Sequence, residues 1–392
     1  MGDRMTEVFG AIDIPTVLER LLEAPRGEGV LSAYLGLAPA DVQGEAYLLY
    51  LRDRFKEIRA SLGEDHDAFE AAARQAEAYL SGPFTQESPG VAMFASASPD
   101  YQFAVALPTG PVPSVTWDSH PHLAQLVRMV DDQERTAVML FDSERARFFS
   151  FFLGEIEEQH VVWDAIPRRQ ASGGWVGRSA TNYARQVSGM SQARRARHRE
   201  GHILEHAQRA VQLLLDHLDE RPFDRLIIGG PDEAVATLER ELPRPLKLRL
   251  AGTVSIEGFA PVSEVAKAVR PTLEAVEREH ELALVEDLLE HAGDRQVVLG
   301  LEPTFEALAE GRVHRLVSVT ALGAGAFCSA CQRLTVGSRC PSCNGEVSPV
   351  PDLVEHATLQ AVEQAVAAIE FVSGQADETL RAHGGLGAWT RY

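Results

Sequence analysis

Two rhythms of apolar spacing alternate along the chain, and their succession predicts a mixed α/β protein. A helical period marks Ile14 to Leu22, Gly44 to Leu62 and Asp67 to Leu80, whereas Gly29 to Leu37 reads as a buried strand. Gly90 to Ala95 and Gln102 to Leu107 make two further strands, set apart by the turn-forming Ser98-Pro99-Asp100. Prolines between Pro108 and Pro113 interrupt regular structure. After a helix near His122 to Val130 the pattern restarts, which places a boundary near Asp132 to Glu134.

The middle of the chain opens as a strand meander, Ala137 to Phe141, Ala146 to Phe152 and Ile156 to Trp163, with turns at Asp142-Ser143-Glu144 and Gly154. A long helix is expected from about Ser191 to Leu218, with Ile203, Ala207, Ala210, Val211, Leu214 and Leu215 on its buried face. Arg225 to Ile228 is a buried strand ending in Gly229-Gly230-Pro231, followed by a helix from Glu233 to Leu242 and a strand near Leu248 to Val254. Tight-turn geometry accounts for these glycines better than a phosphate cradle, because no longer glycine motif surrounds them. A helix around Val262 to His291 leads to the last third. There Gln296 to Leu299 and Arg315 to Val319 read as strands, Glu302 to Glu310 as a helix and Leu353 to Phe371 as a final helix. The expectation is three α/β domains, residues 1–133, 134–275 and 276–392.

Composition adds modest constraints. Hydrophobic content of 45% with 24% charged residues is ordinary for a soluble globular protein, and no apolar run approaches the ~18 residues that span a bilayer. Met1 to Glu7 lacks the basic-then-apolar pattern of a secretory signal, so a cytoplasmic location is expected.

Charge changes the picture more. The chain carries a formal net charge of −20, yet between Ala165 and Arg199 there are eight arginines and no acid: Arg168, Arg169, Arg178, Arg185, Arg194, Arg195, Arg197 and Arg199. With Gly173-Gly174 and Ser188-Gly189 in loop positions, an arginine-lined loop on a helical stalk suits a narrow space walled by phosphates. A solvated basic loop is the bland alternative. The last third is the opposite: Glu277 to Tyr392 holds 8 arginines, no lysine and 17 acids, a net of −9. A protein partner suits that surface better than nucleic acid.

All four cysteines lie in Cys328-x2-Cys331-x8-Cys340-x2-Cys343, with Gly337, Pro341 and Gly345 as turn formers. Two such pairs let four thiolates converge on one tetrahedral Zn²⁺, a closed structural site with no place for an activated water; two redox pairs or free thiols are the alternatives. His198, His202 and His206 recur at helical spacing, but HREGH is not the HExxH pattern and no outside ligand is evident, so they read as a helix face. No Walker loop, Rossmann glycine fingerprint or GxSxG elbow occurs.

At the basic stretch the chain resembles a known family. Ile166-Pro-Arg-Arg-Gln-Ala-Ser-Gly-Gly-Trp175 is similar to the approach to the GGQ loop of archaeal and eukaryotic class-one release factors, and Gly189-Met-Ser-Gln-Ala-Arg-Arg-Ala-Arg-His-Arg199 to the segment leaving it. Leu226 to Pro231 resembles the strand and turn of the same central domain. Val297 to Val313 and Gly384 to Tyr392 resemble the third domain, and the cysteine insertion resembles that of archaeal members. The chain is therefore identified as resembling the bacterial branch of the archaeo-eukaryotic release factor and Pelota superfamily.

This resemblance implies a three-domain Pelota-like architecture and a monomer that enters the ribosomal A site, touching rRNA and tRNA through the arginines, with a translational GTPase as partner. It implies a loop tip at Gly173, Gly174 and Trp175, or at Gly189 and Met190 with Gln192 nearby, where the family hydrolyses peptidyl-tRNA. Two departures stand out. The residue after the glycines is Trp175 or Met190 and not glutamine, and no TASNIKS-like stop-codon motif occurs in the N-terminal third. The implied function is rescue of stalled ribosomes by peptidyl-tRNA hydrolysis without stop-codon decoding, the alternative being non-catalytic ribosome hibernation in the A site.

Overall fold

The computed structural model describes residues 6–8, 14–25, 29–37, 46–63, 66–81, 88–107, 109–131, 135–152, 155–163 and 183–392. They fall into two compact units. One comprises 1–133 together with 278–392, and the other is 134–277.

The first segment runs β1 (Thr6–Val8), α1 (Ile14–Leu22), β2 (Val30–Gly36), α2 (Ala46–Leu62), α3 (Asp67–Leu80), β3 (Gly90–Ser96), β4 (Gln102–Leu107), β5 (Ser114–Asp118) and α4 (Ala124–Asp131). Its sheet has the order β1-β4-β3-β2-β5, antiparallel except for the β1/β4 pair. Alternate residues of β2 and β3, among them Leu31, Ala33, Leu35, Val91 and Met93, face Leu51, Phe55, Phe69 and Ala73 of α2 and α3. Strand β5, which the sequence reading did not foresee, follows the prolines: Ser114-Val-Thr-Trp-Asp118 alternates and adds to the free edge of β2.

The central unit runs β6 (Thr136–Phe141), β7 (Arg145–Phe152), β8 (Glu155–Trp163), α5 (Tyr183–Glu220), β9 (Arg225–Gly229), α6 (Asp232–Glu241), α7 (Arg244–Lys247), β10 (Leu250–Val254) and the first part of α8 (Val262–Glu290). The strand order is β10-β9-β6-β7-β8, with β10, β9 and β6 parallel. Both faces are covered. Met139, Phe141 and Phe148 pack under Ala207, Ala210 and Leu214 of α5, while Val138, Leu140 and Phe149 pack under Val265 and Val269 of α8. This burial of both faces explains why β6 is apolar from Ala137 to Phe141 and not alternating. Gly230, at φ 149°, donates its N–H to the Val254 carbonyl at 3.1 Å, and a Cβ there would run into the Phe141 carbonyl. The glycine pair thus serves a tight turn, as its sequence context implies.

The last segment runs β11 (Val297–Leu299), α9 (Leu301–Ala309), β12 (Val313–Val319), β13 (Gly325–Cys328), β14 (Arg333–Thr335), β15 (Ser348–Val350), α10 (Leu353–Glu363), β16 (Ala368–Val372), α11 (Gly374–Arg381) and β17 (Leu386–Thr390). The main sheet has the order β11-β17-β12-β16. Helices α9 and α10 cover one face, and α11 with the C-terminal part of α8 covers the other. The expected final helix to Phe371 is corrected: α10 stops at Glu363, Ala365 takes φ 48°, and Ala368–Val372 pairs in parallel with β12. Among the described residues no helix is long and apolar enough to cross a membrane.

Candidate functional site: an arginine-bearing helix and a four-cysteine centre

Helix α5 holds the C-terminal side of the basic stretch. It spans 38 residues, so at 1.5 Å per residue it is about 57 Å long. Its C-terminal half is amphipathic, with Ala207, Ala210, Val211 and Leu214 buried at helical spacing. Arg185, Arg194, Arg195, Arg197 and Arg199 all fall on its N-terminal half. So do Gly189, Met190 and Gln192, which corrects the placement of Ser188-Gly189 in a loop: the helix begins at Tyr183, eight residues before the sequence start at Ser191. The other tip candidates, Gly173, Gly174 and Trp175, with Arg168, Arg169 and Arg178, lie outside the described residues.

The histidine stripe divides. His206 is 1% exposed and stacks on Phe141, ring centroids 4.9 Å apart, so it is a core residue and not part of an exposed helix face. Further along α5, His217 packs against Phe148 at 4.2 Å. Burial lowers its pKa, and the nearby charges of His160 and Arg221 add to that.

The four cysteines come together on a small sheet of order β14-β13-β15. Cys328 closes β13 and Cys331 sits in the turn to β14; Cys340 and Cys343 occupy the following turn. The residue after each pair adopts a left-handed conformation, Gln332 at φ 51° and Asn344 at φ 57°. That reversal folds each CxxC back toward the other, and the Gly345 N–H donates to Cys343 Sγ at 3.4 Å. All four sulfurs lie within 4.8 Å of one another. Cys328 Sγ and Cys343 Sγ are 3.7 Å apart, close to the ~3.8 Å edge of a tetrahedron with 2.3 Å metal–sulfur bonds. The donor set therefore fits a tetrahedral metal ion.

Electrostatics agree with the geometry. Backbone N–H groups of Cys343 and Ser342 bring the Cys340 thiol down to about 6, whereas the crowding thiols push Cys331 up to about 12. Four thiolates cannot coexist at this spacing without a cation among them. The ribbon is anchored through Arg333, 7% exposed, whose guanidinium donates to Ser342 Oγ at 3.0 Å and pairs with Glu302 and Glu306 of α9. Thr335 Oγ1 donates to Glu302 Oε1 at 2.7 Å.

A second cluster escaped the sequence reading. Asp118, His120 and His122 place their donor atoms within 4.8 Å of one another where β5 leads into α4. The signal was present as Asp-Ser-His-Pro-His, with chemistry at every second residue, but its partners Glu355 and His356 lie far away in sequence.

With the two-faced α/β unit, its arginine-bearing helix and the tetrathiolate ribbon described, comparison with known proteins shows what the central part of the chain is similar to. Residues 121–274 match the model of bacterial archaeo-eukaryotic release factor family 10, a span that includes the whole arginine-rich stretch. Among solved structures, the archaeal translation termination factor aRF1 is 18% identical, covering 96% of this chain and 98% of that one, with a TM-score of 0.25. Archaeoglobus fulgidus Pelota is 14% identical over 77% of this chain and 79% of its own, TM-score 0.36. Dom34 of S. cerevisiae, a translation termination-like factor, is 9% identical over 77% and 73%, TM-score 0.40. No match is found among curated proteins.

Proposed function

We propose that this chain is a ribosome-binding translation factor that enters the A site and rescues stalled ribosomes by hydrolysing peptidyl-tRNA without decoding a stop codon. The observation that carries this reading is the coincidence of the release-factor family match with the one strongly basic stretch of an acidic chain. Arg194, Arg195, Arg197 and Arg199 would contact rRNA or tRNA phosphates from α5, and Gly173, Gly174 and Trp175, or Gly189 and Met190, would reach the peptidyl transferase centre. A backbone amide at the tip serves as an oxyanion or water-positioning donor whatever side chain follows the glycines, so loss of glutamine leaves that contribution in place. The segments 1–133, 134–275 and 276–392 act as three domains in this scheme, with the acidic third facing a translational GTPase.

The second reading, non-catalytic occupation of the A site in idle ribosomes, is favoured by Trp175, since an indole at the tip stacks on rRNA bases. Ribosomes loaded with labelled peptidyl-tRNA separate the two. Rescue predicts release of peptide on addition of the protein; tight binding with no release leaves hibernation as the function. The cysteine ribbon is assigned zinc, held by Cys328, Cys331, Cys340 and Cys343. Cys340→Ser is expected to lower bound zinc by about one per chain, as measured by elemental analysis.

A further inference from the structure

Where the first segment packs on the last, three imidazoles and two carboxylates are drawn into one seam of the same unit. Strand β5 ends at Asp118 and the chain bends at Ser119 and His120 ahead of Pro121, which gathers Asp118, His120 and His122 at one turn. Their side chains are 22%, 12% and 14% exposed. Opposite them, the first turn of α10 supplies Glu355 and His356.

Each group there is held by the fold. Glu355 Oε2 accepts from the N–H groups of Leu123 and Ala124, both at 2.9 Å, which satisfies the start of α4. Tyr34 donates its hydroxyl to the His122 carbonyl at 2.8 Å. Asp118 Oδ2 lies 3.1 Å from His122 Nε2 and 3.8 Å from His120 Nε2, and His120 Nε2 lies 3.2 Å from His356 Nε2. His120 Nδ1 is 3.1 Å from the Pro121 carbonyl, which can only accept. That contact puts the ring proton on Nδ1 and leaves the Nε2 lone pair aimed at His356.

We propose that Asp118, His120, His122 and His356 form a second, cysteine-free metal site for a borderline divalent ion of the zinc class. The donor atoms of Asp118, His120 and His122 all lie within 4.8 Å of one another, and His356 Nε2, 3.2 Å from His120 Nε2, is the fourth donor beside them. Imidazole with a single carboxylate selects Zn²⁺, Co²⁺ or Ni²⁺ over Mg²⁺ or Ca²⁺, which require oxygen ligands. One ligand comes from a residue 236 positions away from His120, so the ion staples the first segment to the last. The inference does not depend on the ribosomal reading.

The test is a Co²⁺ titration of metal-free full-length protein. Cobalt in the cysteine ribbon gives intense thiolate charge-transfer absorption, whereas cobalt on imidazole and carboxylate gives none. Wild type is expected to bind about two equivalents per chain, of which only one carries the thiolate band. His120→Gln and His356→Gln should each bind about one equivalent with the thiolate band intact, which also reports that the fold around the ribbon persists. Cys340→Ser should lose the thiolate band and keep the equivalent that lacks it. A wild-type protein that takes up only the thiolate-bound ion overturns the site, and the seam is then a plain N–H···N contact between two histidines. Full retention of both equivalents in His356→Gln removes His356 from the ligand set and overturns the staple.

Discussion

At the scale of single residues, the chain uses histidine as a packing element. In α5, His206 and His217 are inside the central core as aromatic packing elements, one on Phe141 and the other on Phe148. A buried imidazole of this kind has consequences for acid stability. The folded-state pKa of His217 lies below its unfolded value because burial disfavours the cation and His160 and Arg221 add to the effect. Below about pH 6.5 the unfolded chain therefore takes up a proton that the folded chain refuses, so stability is present above that pH and declines as pH falls. His217→Gln should flatten this acid limb in urea midpoints measured between about pH 7 and 5, on top of a pH-independent loss from the missing ring contact with Phe148. A slope identical to wild type would show that His217 titrates normally in the folded protein.

At the scale of elements, β17 is the most consequential piece. It lies between β11 and β12 and is antiparallel to both, so its loss would leave two strands without their shared neighbour. A Cβ at Gly387 would come within 2.5 Å of Leu288 Cδ2 and 3.2 Å of Leu299 Cδ1, so a larger residue inside this strand requires those leucines to shift. A chain ending at His383 is expected to lose the cooperative unfolding of the flanking unit, while the central unit keeps its own transition; two-probe thermal denaturation checks this. Most elements were legible from spacing alone, because α2, α3 and the packed half of α5 bury single stripes and β6 is buried on both faces. The misreadings have physical causes. Leu353 to Phe371 continues a helical apolar period, and only the pairing of Ala368–Val372 with β12 outweighs it, at the cost of a left-handed Ala365. The cysteine ribbon was legible because its spacing is local, whereas the Asp118 cluster takes its partners from α10 and no local pattern announces them.

At the scale of the whole molecule, charge is distributed against the average. A protein of net charge −20 is repelled by RNA unless a basic element is set apart from the acidic bulk, and α5 carries five of the eight arginines of that element. Replacing Arg194, Arg195, Arg197 and Arg199 together by alanine is expected to weaken ribosome binding by at least ~10-fold and to flatten its dependence on salt. Pelleting with ribosomes at stepped potassium chloride concentrations measures both. Unchanged binding would mean that another surface makes the contact.

The division of the chain also sets an order of events during synthesis. Every strand pairing of the central unit closes within residues 134–277, whereas the flanking unit joins positions such as His120 and His356 that are separated by 236 residues. The arginine-bearing unit can thus reach its final fold while the seam at Asp118 and the strand at Leu386 are still unmade. A nascent chain arrested before β17 would carry a finished central unit, basic helix included, while the flanking unit still lacked its last strand.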